Sequence, residues 1–570
     1  MLHEENLNNL IVKRIKRYYR NLEHYIKMFL YMMHVKTKMR FNEQNVITFL
    51  CHGNICRSAF CEHYVKRFNL GDTIRFYSCG LYADQGNRSP QDSIQAAKTF
   101  GVDLSEHIPQ KITRKIVEES SVIFGMDYSN YYDFIREFPE HASKFHLIKE
   151  VGFFNKYDIV RDPYAGNITD YTQCYATLID SLTILLNKLS GSRSEGKKNI
   201  MIVTGALSYG GLERVVLNLA KYVTKEYNPY TICMHNKGEQ AKELLELMLP
   251  VVALNEDKKR WTNYTSFLKI RKIIQEEKIA VVHTHNTGPF LSSALAMLFM
   301  KQKPVFIHTD HARKYPDKTR YMVGEKLASY LADKIIAVSQ ETKDNLIKYE
   351  HINPEKIEII NNGIDKNRYD IQVDKNYKLE QIGAKGFDHY IGLGVVLTDQ
   401  KGIRYLIDAM PEILKAYPRT ALLIAGDGPE RKKLEDQVAI MELGDNVFFL
   451  GMRDDIPEIL QLLDIFVLPS EWEGLPLVIL EAMAAKRCIL ATDVGGLSIA
   501  IKSGENGVLV PAKKPEALSN EIKRMLSNRQ YREDLALNAY KDFIEYFSAD
   551  KMARSYEQYY SDYQNSHKRV

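Results

Sequence analysis

Cys51-His52-Gly53-Asn54-Ile55-Cys56-Arg57-Ser58 decides how the first part of this chain is read. The apolar run Asn45 to Leu50 leads into it and a helix-like run, Ala59 to Phe68, leads out, the pattern of a strand, a loop and a helix start. A cysteine at that turn faces unpaired backbone N–H groups and the positive end of a helix, and an arginine six residues on can close over the same point. Both effects favour a thiolate and the binding of a tetrahedral anion. A lone cysteine in such a turn is ordinarily a buried side chain and nothing more. The Cys-x5-Arg-Ser spacing, with Gly53 and Asn54 inside the loop, argues for chemistry instead.

The loop resembles that of the low-molecular-weight protein tyrosine phosphatases, with Ala59 standing where that family has proline, and Asp162-Pro163-Tyr164 matches the family's second motif. The resemblance implies roles. Cys51 would attack phosphorus, and the amides of His52, Gly53, Asn54, Ile55 and Cys56 with the Arg57 fork would hold the equatorial oxygens. Ser58 would steady the thiolate, Asp162 would protonate the departing tyrosyl oxygen, and Tyr164 would wall an aromatic slot. Asn54 and Ser78 would shape the loop without reacting. Cys56 is either a partner for a reversible disulfide with Cys51 or a packing residue.

At 570 residues the chain exceeds one core and suggests three or four domains at about 100 to 200 residues each. Its 45% apolar and 26% charged residues are ordinary soluble composition, and seven thinly spread cysteines suit a reducing cytosol. No apolar run approaches the roughly 18 residues that span a bilayer, and no signal peptide is visible, so a cytoplasmic location is expected. Residues 1 to 40 hold nine Lys/Arg against three acids, and the other 530 residues sum to about −1. A nucleic-acid-binding body is therefore excluded. Within the leader (1–44), Ile11, Ile15, Tyr18, Leu22, Ile26 and Phe29 recur at helical spacing with a basic opposite face, which fits peripheral contact with the inner face of a membrane or packing on a neighbouring domain.

Residues 45–189 alternate apolar strands (Thr73 to Ser78, Val122 to Met126, Phe145 to Leu147) with helical stretches and close on a helix from about Tyr171, a doubly wound α/β parallel sheet of one domain. Residues 190–198 are small, polar and charged, a linker. Beyond it, Asn199 to Thr204 leads into a glycine loop at Gly210-Gly211-Leu212-Glu213, and strands at Ala280, Val305, Lys334 and Ile357 build a second parallel sheet over 199–376. Six further strands, from Ile391 to Val510, build a third over 377–547. Two Rossmann-like domains in tandem leave a cleft at their strand C-termini, where ligands bind in open α/β sheets.

This region resembles the retaining glycosyltransferases of family 4, which have the GT-B fold. The residues carrying the likeness are Glu473 and Glu481, a Glu-x7-Glu pair around Gly474-Leu475-Pro476, with Lys401-Gly402, Gly426-Asp427-Gly428-Pro429-Glu430 and the Gly210-Gly211 loop. The donor it implies is a nucleotide-diphosphate sugar, with no metal and no other cofactor required. Lys401 and the amides at Gly474, Leu475, Pro476, Gly210 and Gly211 would stabilise the departing diphosphate. Glu481 would accept from the ribose hydroxyls, Glu473 would hold the sugar, and His311 would stand near sugar and acceptor. His283 and His285 read as structural, with no further ligand to make a metal pair. The family pairs its lysine with an arginine five residues earlier, here Val396. Arg453 is the expected substitute cation.

A tyrosine-rich helix over 548–570 is expected to cross back to the N-terminal half, or else to offer its tyrosines as phosphorylation sites. Together the two resemblances imply a bifunctional enzyme of bacterial surface-polysaccharide assembly. Its partners would be a tyrosine-phosphorylated protein such as a tyrosine kinase, a nucleotide sugar and a lipid-linked saccharide acceptor. The rival reading keeps the transferase active and makes the front domain a non-catalytic phosphotyrosine-binding module; the presence of Cys51, Arg57 and Asp162 together weighs against it.

Overall fold

The computed structural model describes residues 31, 45–152, 158–190, 197–208, 210–254, 266–298, 300–311 and 315–567. The amphipathic leader lies outside the described residues apart from Tyr31, as does the linker apart from its ends. The chain divides into two compact units, Met1–Lys197 with Lys242–Val252 and Lys272–Lys278, and Lys198–Ala241 with Ala253–Arg271 and Ile279–Val570. Among the described residues no helix is long and apolar enough to cross a membrane.

The first unit is built on strands β1 (Asn45–Cys51), β2 (Ile74–Gly80), β3 (Val122–Gly125) and β4 (Phe145–Leu147) in the order β2-β1-β3-β4, all parallel. Ile47, Phe49 and Leu50 of β1 are wholly buried, which is why it reads as a continuous apolar run: helices cover both faces of such a sheet. Phe60, on the helix Arg57–Val65, stacks on Tyr175 of the helix Ile168–Leu189 at 4.0 Å between ring centroids. The latter helix starts ahead of its apolar stretch because Asn167 caps it. The Asn167 Oδ1 accepts from the amides of Thr169 (2.8 Å) and Asp170 (3.3 Å), and the Asp170 carboxylate returns to the Asn167 amide.

The second unit holds two sheets. Strands β5 (Lys198–Thr204), β6 (Tyr227–Cys233), β7 (Val251–Ala253), β8 (Ile279–His285), β9 (Val305–Asp310), β10 (Lys334–Ala337) and β11 (Ile357–Ile359) lie in the order β11-β10-β9-β8-β5-β6-β7. Strands β12 (His389–Gly394), β13 (Thr420–Ala425), β14 (Val447–Gly451), β15 (Ile465–Leu468), β16 (Cys488–Thr492) and β17 (Val508–Val510) lie in the order β14-β13-β12-β15-β16-β17. These are the tandem Rossmann-like sheets of a GT-B architecture. Two strands escape a reading of the sequence: β6 is disguised by Asn228 and Pro229, residues depleted in strands, and β7 is only three residues long.

The strand order reverses at three places: between β1 and β3, between β5 and β8, and between β12 and β15. The chain leaves such neighbours in opposite directions, so their C-terminal ends are left with an open crevice. The segments expected to carry function follow these strands.

The C-terminal helix, Ala549–His567, lies on the N-terminal sheet of this unit. Tyr556 Oη is 3.0 Å from Thr309 Oγ1, and Tyr560 Oη is 2.6 Å from His283 Nδ1. Both tyrosines are fully buried, so neither is offered to a kinase, which corrects the phosphorylation reading for these two. Burying their rings stabilises the crossing, and their hydroxyls satisfy groups inside the sheet.

Gly402 turns the chain after β12 at φ +59, and a Cβ there would stand 2.2 Å from the Pro469 carbonyl oxygen. Gly402→Ala is expected to lower the stability of the second unit by about 1–3 kcal/mol. Gly444→Ala, in open space, should change it by less than about 0.5 kcal/mol. Both tryptophans, Trp261 and Trp472, follow residue 198, so urea unfolding followed by tryptophan fluorescence reads this unit alone.

Candidate active sites

In the first unit β1 ends on Cys51, which is 3% exposed. Ser58 Oγ lies 2.9 Å from Cys51 Sγ, and the Asn54 amide donates to the same sulfur at 3.3 Å. Asn54 takes the left-handed conformation, φ +54, and its Nδ2 donates to Ser58 (2.9 Å) and Ser78 (2.8 Å). Its carbonyl accepts from His107 Nε2 (2.8 Å) and its Oδ1 from the Gln110 amide (2.8 Å). Gly80 lets the loop approach the sheet: a Cβ there would stand 2.8 Å from the Asn54 nitrogen and the His52 oxygen. Six hydrogen bonds therefore set the curvature of the loop. His52 and Tyr82 have ring centroids 4.7 Å apart beside it.

Arg57 is 2% exposed and forks between two carboxylates. Nη1 reaches Asp127 Oδ2 (2.7 Å) and the Val160 carbonyl (3.0 Å), and Nη2 reaches Asp162 Oδ2 (2.6 Å). Burial works against the guanidinium charge, but Asp127, Cys51 and Asp162 outweigh it and hold Arg57 above its ordinary pKa. The motif residue Asp162 is thus delivered to the loop from 105 positions away, with Tyr164 beside it, largely exposed. Burial, and then the Cys51 charge, push the Cys56 thiol up to about 12, and both cysteines are free.

Asp127 was not anticipated. It caps the helix Tyr128–Glu137 through Oδ1 to the Asn130 amide (2.9 Å) while Oδ2 holds Arg57. Its signal is positional, since it follows β3, the neighbour of β1 at the reversal of strand order.

In the second unit Lys401 Nζ pairs with Glu473, and Glu473 Oε1 also accepts from Ser470 Oγ at 2.7 Å. Glu473 is 7% exposed, and Gln400 donates to the carbonyl of Trp472 at 3.0 Å, tying the turn after β12 to the turn after β15. Gly474, Leu475 and Pro476 lead into the helix Leu477–Ala484, which carries Glu481. Burial raises the Glu481 carboxyl, opposed by a hydrogen bond from Tyr369 and by the charges of Arg368 and Arg214. Arg214 belongs to the helix Gly211–Tyr222 that opens at the Gly210-Gly211 loop. Leu475 and Leu477 line a cavity of about 530 Å³ together with Gly211, Asn286, Asp310 and His311.

Arg453, the expected substitute for the missing arginine, forks its Nε and Nη2 onto Asp455, which also holds Lys378 and whose pKa falls to about 2. The residue in the arginine's place, Val396, is 62% exposed. Among the described residues, the cations acting on the two motif glutamates include Lys401 at Glu473 and Arg368 and Arg214 at Glu481.

His283 and His285 are wholly buried. His283 bonds Tyr560 and, through Nε2, Thr309 (2.8 Å), and His285 Nδ1 lies 3.0 Å from His311 Nε2. Among the described residues, His308, Asp310 and Glu325 bring one ligand-type atom each within 4.8 Å of one another at the exit of β9. His308 Nδ1 is taken up by the Thr284 hydroxyl at 3.0 Å.

Three comparisons bear on both sites. Residues 46–195 match the family profile of low molecular weight phosphotyrosine protein phosphatase, 209–368 that of Glycosyltransferase Family 4, and 384–542 that of glycosyl transferases group 1. An uncharacterized glycosyltransferase of Methanocaldococcus jannaschii is 32% identical over 297 residues, covering 50% of this chain and 75% of its own length. The UDP-Gal:alpha-D-GlcNAc-diphosphoundecaprenol alpha-1,3-galactosyltransferase of Escherichia coli is 28% identical, covering 46% and 70%. An Anabaena protein crystallised with UDP and glucose has the same fold, with a TM-score of 0.55 and 22% identity over 64% of this chain and all of that one.

Burial pushes His283 down to about 3 and His311 to about 4, and His285 well below its ordinary value. The unfolded chain binds these protons from about pH 6.5 downward, while the folded one refuses them until about pH 4. Stability of the second unit is therefore full above pH 6.5 and lost as pH falls, by about 1.4 kcal/mol per pH unit for each histidine. The urea midpoint read by tryptophan fluorescence should drop steeply between pH 6.5 and 4.5.

Proposed function

The chain belongs to the family 4 and group 1 glycosyltransferases and carries a low-molecular-weight phosphotyrosine protein phosphatase domain ahead of them, and from that premise we propose two reactions and their residues. In the first, Cys51 attacks the phosphorus of a protein phosphotyrosine, the P–O bond breaks, and Asp162 passes its proton to the departing tyrosyl oxygen. Water then cleaves the S–P bond, giving its proton back to Asp162 and releasing inorganic phosphate. The observation that carries this reading is the Arg57 fork, which gathers Asp162 and Asp127 onto the loop that cradles Cys51. Phosphate entering the loop takes the guanidinium, and the Asp162 carboxyl is then free to meet the leaving oxygen.

In the second reaction the bond between the anomeric carbon and the nucleoside diphosphate breaks, and an acceptor hydroxyl attacks the face the diphosphate leaves, passing its proton to the departing phosphate oxygen, so configuration is retained. Lys401 and the amides at Gly474 to Pro476 and Gly210 to Gly211 neutralise the leaving group, Glu481 orients the ribose, and Glu473 holds the sugar. The Lys401–Glu473 pair, with Glu473 two residues before the cavity-lining Leu475, supports this assignment. The Escherichia coli relative is named for a diphosphoundecaprenol acceptor, which favours a lipid-linked saccharide acceptor here; a site of action at the cytoplasmic face of the membrane and a tyrosine kinase as phosphatase substrate complete the proposal.

Cys51→Ser should abolish hydrolysis of p-nitrophenyl phosphate, and full activity in that variant would exclude the nucleophile. Asp162→Asn should lower kcat roughly 10²- to 10⁴-fold on a phosphotyrosine peptide, and less on p-nitrophenyl phosphate, whose leaving group needs no proton. For the transferase, UDP-galactose, UDP-glucose and UDP-N-acetylglucosamine should be screened for thermal stabilisation of the full chain and then for turnover. Glu481→Ala should lose both responses with aryl phosphate hydrolysis unchanged. Loss of both activities together would overturn the assignment of Glu481 to a separate site.

A further inference from the structure

His311 lines the cavity, where the resemblance puts it near sugar and acceptor, and the histidine behind it is so far without a part. His285 is the last residue of β8, is wholly buried, and places Nδ1 3.0 Å from His311 Nε2. Its other ring nitrogen, Nε2, is buried and has no hydrogen-bond partner. On its far side the His283 ring sits 4.3 Å away between centroids, itself pinned by Tyr560 and Thr309. His285 is thus held in place by groups that take no part in binding.

Burial keeps both members of the His285–His311 pair neutral, so each ring carries one proton and the bond between them uses one. Two arrangements are possible. If His311 donates from Nε2, His285 must carry its own proton on Nε2, where a buried N–H would meet no acceptor. If His285 donates from Nδ1, its Nε2 is a bare lone pair, and His311 carries its proton on Nδ1. Orphaned buried N–H groups are rarer than under-used acceptors, so the second arrangement wins.

We infer that His285 is a positioning residue for sugar transfer: by donating from Nδ1 to His311 Nε2 it fixes the His311 tautomer, so that the one ring nitrogen left for a ligand is an N–H donor. The ligand group it suits is an oxygen with a free lone pair, a sugar hydroxyl or ring oxygen, and not a hydroxyl that must give up its proton. His311 is then neither a general base nor a cation at neutral pH. This rests on the cavity being the transfer site.

The test uses the full chain labelled with nitrogen-15 histidine, the His311 signals being identified by their loss in His311→Gln. Wild type should show His311 protonated on Nδ1 and bare on Nε2. His285→Asn, whose amide N–H falls where Nδ1 stood, should keep that pattern; His285→Asp, which offers only an acceptor, should move the proton to Nε2. With whichever nucleotide sugar of the panel is turned over, His285→Asp should lose on the order of 10- to 100-fold in kcat, and His285→Asn should recover most of it. A wild-type His311 protonated on Nε2 would overturn the inference outright, as would an Asp variant that transfers as wild type. If the tautomers follow the expected pattern but His311→Gln transfers normally, the hydrogen bond stands and the placing of the cavity falls. The wild-type spectrum decides the tautomer even if a variant fails to fold.

Discussion

A parallel strand hands its chain to a helix that starts at the same edge of the sheet, so unpaired backbone N–H groups collect along that edge, and at a reversal of strand order they face an open crevice. Each of the three sheets has one such reversal. Cys51 ends β1, and Asp127 follows β3 beside it; the Gly210-Gly211 loop follows β5, and His285 ends β8; Lys401 follows β12, and Glu473 follows β15. Two chemistries that differ in nucleophile and leaving group therefore share one physical solution. Each moves an anion, and each places it where the backbone already offers fixed partial positive charge at no cost in reorganisation.

Side-chain cations are added to that backbone field, and two of them are matched by carboxylates. Arg57, 2% exposed, is bridged by Asp127 and Asp162, and Lys401 by Glu473. An unmatched charge at such depth would cost several kcal/mol, so the carboxylates stabilise the fold around each cation. The same matching sets a threshold for binding. A ligand must offer enough negative charge to share or displace a carboxylate, which a phosphate dianion or a diphosphate does and a neutral sugar does not.

Much of this was legible in the sequence because the informative residues are contiguous. The loop from Cys51 to Ser58 and the segment from Glu473 to Glu481 each sit on one strand-to-helix turn, where spacing alone dictates direction. What was not legible depends on pairing across the sheet. Asp127 reaches Arg57 over 70 positions, and no local pattern separates it from any other N-cap aspartate. The partner of Arg453 likewise shows only in the fold, where the Asp455 carboxylate accepts from both arms of its guanidinium. The His285–His311 contact joins the ends of adjacent strands β8 and β9, so it needed the register that only the folded sheet supplies.

The buried polar groups of the transferase half include the imidazoles of His283 and His285 and the phenols of Tyr556 and Tyr560, which pack as one layer. A neutral imidazole adds no net charge to a crevice where Lys401 and Glu473 already form an ion pair. It can be placed under the crevice at the cost of one proton's tautomer, provided its second nitrogen is satisfied from behind. Tyr556 and Tyr560, carried back by the C-terminal helix, hold Thr309 and His283 in that backing layer. The last helix of the chain thereby bears on the first half's histidines without touching a ligand, which explains why a segment so remote in sequence is packed with buried tyrosine at just those positions.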